Sequence, residues 1–260
     1  MRFTCAGNTD VGVVRSGNED NFLVDHQRGV FIVADGMGGH AAGEVASDMA
    51  VGIIARHIEG IRKLGDEAAS ERMGEAIRSA NAAIFDRTLA EHDKRGMGTT
   101  VTVMVLFARK YLIGQVGDSR AYLLRDGKLS QITKDHSYVQ EQVDAGLLTP
   151  DQARTHPYSN VITRCVGANE EVVPDIYYGS IRSDDIILLA SDGLTGMLDD
   201  EQLHQILQSE GGPDTWVDLM IADANRRGGL DNITVVVVRI DEVDPNTGEH
   251  RIPVATAGQA

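Results

Sequence analysis

Four aspartates stand where an apolar run gives out. Asp35 follows Val30 to Ala34, Asp118 follows Tyr111 to Gly117, Asp192 follows Ile186 to Ser191, and Asp231 precedes Thr234 to Val238. Three of them abut glycine. Alone, each is an ordinary turn residue. Strand tips of one sheet system can meet in space however distant in sequence, and carboxylates gathered there repel one another unless a cation lies between them. Oxygen donors without thiolate select Mg²⁺ or Mn²⁺ over zinc. Several carboxylates with room left for water suit a two-metal hydrolytic site. The four are therefore candidate metal ligands.

A second chemistry competes at the first of these tips. Gly36-Met37-Gly38-Gly39-His40-Ala41 fits G-x-G-x-x-A between a strand and a helix, the dinucleotide turn. Asp35 would set a negative charge against the pyrophosphate such a turn cradles. The helical pattern also runs on to Ile61, where the fingerprint needs a second strand ending in an acid about 20 residues along. The metal reading is preferred; a nicotinamide-dependent enzyme is the alternative.

The elements that must position these residues follow from periodicity. Val30 to Ala34 reads as a strand buried on both faces. Ala42, Val45, Ala46, Met49, Ile53, Ile54, His57, Ile58 and Ile61 share one face of a helix starting near His40, and Met73, Ala76, Ile77, Ala80, Ala83 and Ile84 share one face of a second. Two such helices pack as an antiparallel pair. The period then changes. Gly98 to Phe107, Tyr111 to Val116, Ala121 to Leu124 and Lys128 to Ile132 are strands, the last two joined by the hairpin signal Asp126-Gly127. They predict an antiparallel meander, which disfavours a βαβ architecture. Thr133 to Val166 reads as an irregular excursion of a functional kind. After the Ile186 strand come a helix opened by Asp199-Asp200-Glu201-Gln202, a helix opened by Pro213 and the last strand. Residues 244–260 predict a polar, disordered tail.

Composition narrows the function classes. Lys and Arg number 24 against 39 Asp and Glu, a net charge of −15 over 260 residues, which argues against nucleic acid as a partner. No apolar stretch approaches the ~20 residues of a membrane helix, and the N-terminus carries no signal-peptide core. Two cysteines, neither beginning a Cys-x₅-Arg phosphate loop, leave no disulfide framework and no cysteine-dependent phosphatase. A reduced, cytoplasmic protein is expected.

Six motifs in order carry a resemblance. They are Arg15-x-x-Asn18-Glu19-Asp20, Asp35-Gly-Met-Gly-Gly-His40, Gly98-Thr99-Thr100, Gly117-Asp118-Ser119-Arg120, Ser191-Asp192-Gly193 and Asp231-Asn232, spanning about residues 4–240. The chain resembles the metal-dependent protein Ser/Thr phosphatases, the PPM or type 2C family, in its compact bacterial form. The resemblance implies an α+β fold, a β-sandwich of two antiparallel sheets flanked by helix pairs (α-β-β-α). It implies one catalytic domain over residues 1–243, with a flap at about 137–166.

It also implies roles. Asp35 would bridge two Mn²⁺ or Mg²⁺ ions, with the Gly36 carbonyl on one and Asp192 and Asp231 on the other. Asp118 and Asp192 would hold a third, weaker ion. Glu19 would act directly or through water, and Asp20 and Asn232 would stand behind the ligands. A water between two cations loses a proton near neutral pH and becomes the nucleophile. Arg15 would fork onto the phosphate oxygens, and His40 would protonate the leaving Ser or Thr oxygen. His136, in Thr-x-Asp-His-Ser at the flap base, is expected to be structural. The implied activity is hydrolysis of phosphoserine and phosphothreonine on proteins, reversing a bacterial Ser/Thr kinase. The implied partners are that kinase and its substrates, with no nucleic acid and no membrane, and the implied state is a monomer. A non-catalytic, partner-binding relative would be signalled by loss of Asp35, Asp192 or Asp231, and all three are present.

Overall fold

Runs of β-branched residues that are apolar at every position can satisfy both faces only as inner strands of a layered structure, and that is where they lie. The computed structural model describes residues 1–38, 42–107 and 109–243. In chain order the elements are β1 (Arg2–Asp10), β2 (Asp20–Asp25), β3 (Val30–Met37), α1 (Ala42–His57), α2 (Asp66–Ala90), β4 (Gly98–Thr99), β5 (Val101–Phe107), β6 (Lys110–Val116), β7 (Arg120–Arg125) and β8 (Lys128–Gln131). Then follow α3 (Tyr138–Asp144), α4 (Pro150–Arg154), β9 (Asp175–Ser180), β10 (Ile186–Ala190), α5 (Asp192–Thr195), α6 (Asp200–Leu207), α7 (Pro213–Arg226) and β11 (Ile233–Glu242).

Two antiparallel sheets face each other, ordered β1-β11-β10-β7-β8 and β2-β3-β5-β6-β9, with β4 paired to the end of β3. Alternation along each strand divides the core into three layers. Phe31 and Val33 point between the sheets and meet Met104, Ile113, Leu189, Val236 and Val238. Ile32 and Ala34 point outward under α1 and α2, among Ala46, Ile54, Met73 and Ile77. On the other outer face, Leu188, Val235 and Val237 pack against Leu203, Trp216 and Met220 of α6 and α7. The α-β-β-α sandwich expected from the resemblance is the fold observed.

The details differ in three places. The four strands from Val101 to Gln131 are not one meander: β5 and β6 pair in one sheet, β7 and β8 in the other. The chain changes sheets at Gly117-Asp118-Ser119. Gly117 sits at φ 108, a region costly for any residue with a Cβ, and a Cβ there would collide with Thr100. A strand missed in the sequence, β9, pairs with β6 at the sheet edge. Its alternation is blurred because one face is exposed, as at Tyr178. The first helix ends at His57, and Ile61 is buried from a following 3₁₀ turn instead. The expected tail, 244–260, and His40 lie outside the described residues.

Candidate active site

The four strand-tip aspartates lie at one end of the sandwich, and local chemistry explains how each is held. Asp35 is held by its backbone: its N–H donates to Thr100 Oγ1 at 3.0 Å, and its carbonyl accepts from Thr99 Oγ1 at 2.9 Å and Thr100 N at 2.8 Å. That gives Gly98-Thr99-Thr100 a physical role, since Gly98 and Thr99 also pair with Met37 and Gly36. Asp118 rides on the sheet crossing, where the Gly117 N–H donates to His136 Nδ1 at 3.0 Å and the Gly117 carbonyl accepts from His136 N at 2.9 Å. Asp192 and Asp231 flank the paired ends of β10 and β11. Gly193 lets the two segments touch, because a Cβ there would stand 2.8 Å from the Asn232 carbonyl carbon.

Behind this row lies a buried support. Asp20, opposite Asp35 in the β2–β3 register, accepts from Ser191 Oγ at 2.8 Å and Thr234 Oγ1 at 2.6 Å. Asn232 spans three segments: its Oδ1 accepts from Glu19 N at 2.8 Å, and its Nδ2 donates to the Val11 and Gly17 carbonyls, both at 2.9 Å. The loop carrying Arg15 and Glu19 is thereby tied to the tip of β11. Asp20 and Asn232 thus brace the segments that carry the row.

A pocket of about 510 Å³ opens over the row, lined by Arg15, Glu19, Asp35, Asp118, Asp192 and Asp231 among others. Its electrostatics are unfavourable as they stand. Burial pushes Asp35 well above the usual carboxylate range, and Asp20, Asp192 and Asp118 push it further. Burial and then Asp192 raise Asp118, while burial and then Asp231 raise Asp192. Asp20 is pushed up to about 7, chiefly by burial, against the hydrogen bonds from Thr234 and Ser191. Burial also raises Glu19, partly countered by Arg15.

Cation chemistry fits this donor set. Asp192 Oδ1 is buried without a hydrogen-bond partner, a loss that costs free energy unless a positive group compensates it. The Asp35 and Asp192 carboxyls shift each other in opposite senses, Asp192 raising Asp35 and Asp35 lowering Asp192. Among the described residues, no group of three or more His, Cys, Asp or Glu side chains is arranged to hold a metal ion. The donors that line the pocket together are all oxygen.

The predicted residues are placed as follows. Asp35, Gly36, Asp118, Asp192, Asp231 and Glu19 all reach the pocket. Arg15 stands at its mouth, half exposed, with Nη2 donating to Asp231 Oδ2 at 2.6 Å. That ion pair was not foreseen, and it leaves the guanidinium's remaining donors without a hydrogen bond among the described residues. His136 is structural: Nδ1 accepts from Gly117, so its proton sits on Nε2, facing Asp175 at 3.2 Å. Three lining residues were missed. Glu44 could have been noticed as an acid in the first turn of α1. Asn160 and Ile162 come from the flap, where no pattern marks them.

The comparisons with known proteins agree with the fold. A profile of the family described as Protein phosphatase 2C matches residues 14–213. The chain is 40% identical over 239 residues to the serine/threonine protein phosphatase PstP of Mycobacterium tuberculosis, covering 92% of this chain but 45% of that one. It is 38% identical over 237 residues to the serine/threonine phosphatase stp of Listeria monocytogenes, covering 90% of this chain and 94% of that one. A crystal structure of the PstP catalytic domain in complex with two manganese ions superposes with a TM-score of 0.83 at 37% identity, covering 92% of this chain and 99% of that one.

Proposed function

The chain belongs to the protein phosphatase 2C family, and from that premise we propose that it hydrolyses phosphoserine and phosphothreonine monoesters on proteins in a reaction dependent on Mn²⁺ or Mg²⁺. The observation that carries the reading is the pocket itself: buried carboxylates with raised pKa values and an unpartnered oxygen, open to solvent beside an arginine. Asp35, Asp192, Asp231 and the Gly36 carbonyl would hold two divalent ions, and Asp118 with Asp192 a third. Such ions, when bound, supply an acidified water and neutralise phosphate charge.

The chain's own groups do the rest. Cations between the carboxylates would offset the burial and the mutual repulsion that raise Asp35, Asp118 and Asp192, leaving all three ionised. Arg15, two-pronged and permanently charged, would take the phosphate oxygens with the donors that Asp231 leaves free. Thr99 and Thr100 hold the Asp35 backbone so that its carboxylate keeps its place when the phosphate arrives. Asn232 holds the Arg15–Glu19 loop against the β11 tip. His40, outside the described residues, is assigned to protonating the leaving oxygen.

An open mouth suits a phosphorylated side chain on a protein surface better than a small metabolite. The same reading makes the protein a monomer in the cytoplasm that opposes a Ser/Thr kinase. No helix among the described residues is long and apolar enough to cross a membrane. Phosphate release from a phosphothreonine peptide, titrated with Mn²⁺ against a chelator, tests it. Release should require metal, vanish in Asp35→Ala and Asp192→Ala, and only weaken in Asp118→Ala. A metal-loaded wild type that releases nothing from several phosphopeptides overturns it.

A further inference from the structure

Next to Arg15 the surface is unexpectedly apolar. Val13 and Val14, the two residues before it, are 66% and 63% exposed, and Leu230, the residue before Asp231, is 58% exposed. Scattered apolar residues on a surface need no explanation, but a contiguous group beside a polar site marks a contact surface. The three come from opposite ends of the chain and are joined through the backbone of Gly229, the residue before Leu230. The N–H groups of Val13 and Val14 both donate to the Gly229 carbonyl, at 2.8 and 3.2 Å, and Val13 Cγ2 lies over Gly229.

The backbone beneath them is fixed. Asn232 ties Val11 and Gly17 to the β11 tip, Gly12 N donates to Asp10 Oδ1 at 2.8 Å, and Asn225 Nδ2 donates to the same oxygen at 3.0 Å. Two β-branched side chains, stiff at χ1, are thus held outward on a turn that cannot fold them away. An apolar surface already ordered in the free protein loses little entropy when it is covered.

We propose that Val13, Val14 and Leu230 form a docking rim for an apolar side chain flanking the phosphorylated residue of a protein substrate. The proposal rests on the phosphatase reading and names what that site selects. Continuity decides the occupant: the rim adjoins both ends of the Arg15–Asp231 ion pair at the pocket mouth. A phosphorylated side chain lying on Arg15 therefore carries its neighbours in sequence across these residues. The rim also lacks charge in a chain of net charge −15, so it accepts neutral, apolar neighbours.

The test is a set of phosphothreonine peptides in a Gly/Ser background, each with one leucine within three residues of the phosphothreonine, beside p-nitrophenyl phosphate. The proteins are wild type and the triple variant Val13→Ser, Val14→Ser, Leu230→Ser, both loaded with Mn²⁺. In wild type at least one leucine position should lower KM about 5-fold or more, the range expected for partly covering one apolar side chain. The variant should lose that preference and keep wild-type turnover of p-nitrophenyl phosphate and wild-type Tm.

A wild type indifferent to every leucine position, or a variant that keeps the preference, overturns the proposal while leaving the phosphatase reading intact. A concentration-dependent dimer that the variant dissolves, seen by sedimentation, also overturns it and gives the rim to a second copy of the chain. No phosphate release from any substrate overturns the phosphatase reading, and this proposal with it.

Discussion

Replacing Gly193 by alanine should separate two candidate ligands without touching either. The Cβ would collide with the Asn232 carbonyl oxygen and stand 2.8 Å from its carbonyl carbon, and real Cβ contacts essentially never fall under 3.0 Å. The obstacle is backbone just before β11, so it cannot rotate aside; the Asp192 turn or the Asp231-Asn232 turn must retreat by about 1.5 Å for the carbonyl oxygen to reach ordinary contact. Overpacking of this kind costs about 1–3 kcal/mol. For a chain of this size that lowers Tm by about 2–12 °C. The functional effect should exceed the structural one, because a shift near 1 Å in a catalytic group can cost about 10²-fold in rate and loss of ligand support about 10–100-fold in metal affinity. Calorimetric titration with Mn²⁺, thermal melts and kcat/KM on a phosphothreonine peptide read these separately. Gly65→Ala is the control, since a Cβ there meets nothing within 4 Å. A Gly193→Ala protein that binds Mn²⁺ like wild type, whatever its Tm, refutes the idea that this close approach sets the spacing of Asp192 and Asp231.

Three further outcomes are expected. Asp35→Asn removes a carboxyl whose ionisation is opposed by burial and then by Asp20, Asp192 and Asp118, so the metal-free variant should melt a few degrees above metal-free wild type, while the stabilisation of roughly 2.7 kcal/mol that wild type gains at 100 Kd of Mn²⁺ disappears; a lower metal-free Tm in calorimetry with chelator would contradict this. Asp185 is buried and accepts from Arg125 Nε at 2.8 Å, Arg125 Nη2 at 2.6 Å and Arg182 N at 2.7 Å, so Asp185→Ala should cost about 3–5 kcal/mol in urea unfolding by stranding a cation and leave Mn²⁺ affinity alone, a change in affinity counting against a purely structural pair. Burial holds His136 below its ordinary value despite Asp175, so the unfolded chain takes up the proton first and this contribution to stability is lost as pH falls from about 6.5 toward the folded value. His136→Asn, which keeps an acceptor for Gly117, should flatten the fall in Tm between pH 7 and pH 5, and identical slopes in variant and wild type would rule this out.

Much of the site was legible because its signals are local. An apolar run ending in Asp and Gly is visible at Asp35 and Asp192 without knowing what the run pairs with, and a helix face is visible in Met73, Ala76, Ile77 and Ala80. Capping at Asp199 was equally plain, and Gln202 completes the box as read. Supporting contacts were not legible, because their partners are far apart in sequence: Asp20 with Thr234, Asn232 with Gly17, His136 with Gly117. The edge strand Asp175–Ser180 escaped because one exposed face leaves too few apolar positions to count.

By itself the sequence determined most of the strands and the long helices, the aspartates beside them and the order of motifs that marks the family, since each depends on residue type and on spacings of a few residues. Only the tertiary structure decided that the chain changes sheets at Gly117, that Asp118 is thereby carried to Asp192, that Arg15 is already paired with Asp231, and that Val13 and Leu230 share a surface. Periodicity records which face of a segment is buried. Which segment it is buried against depends on the free energy of contacts between distant parts of the chain, and no local pattern carries that.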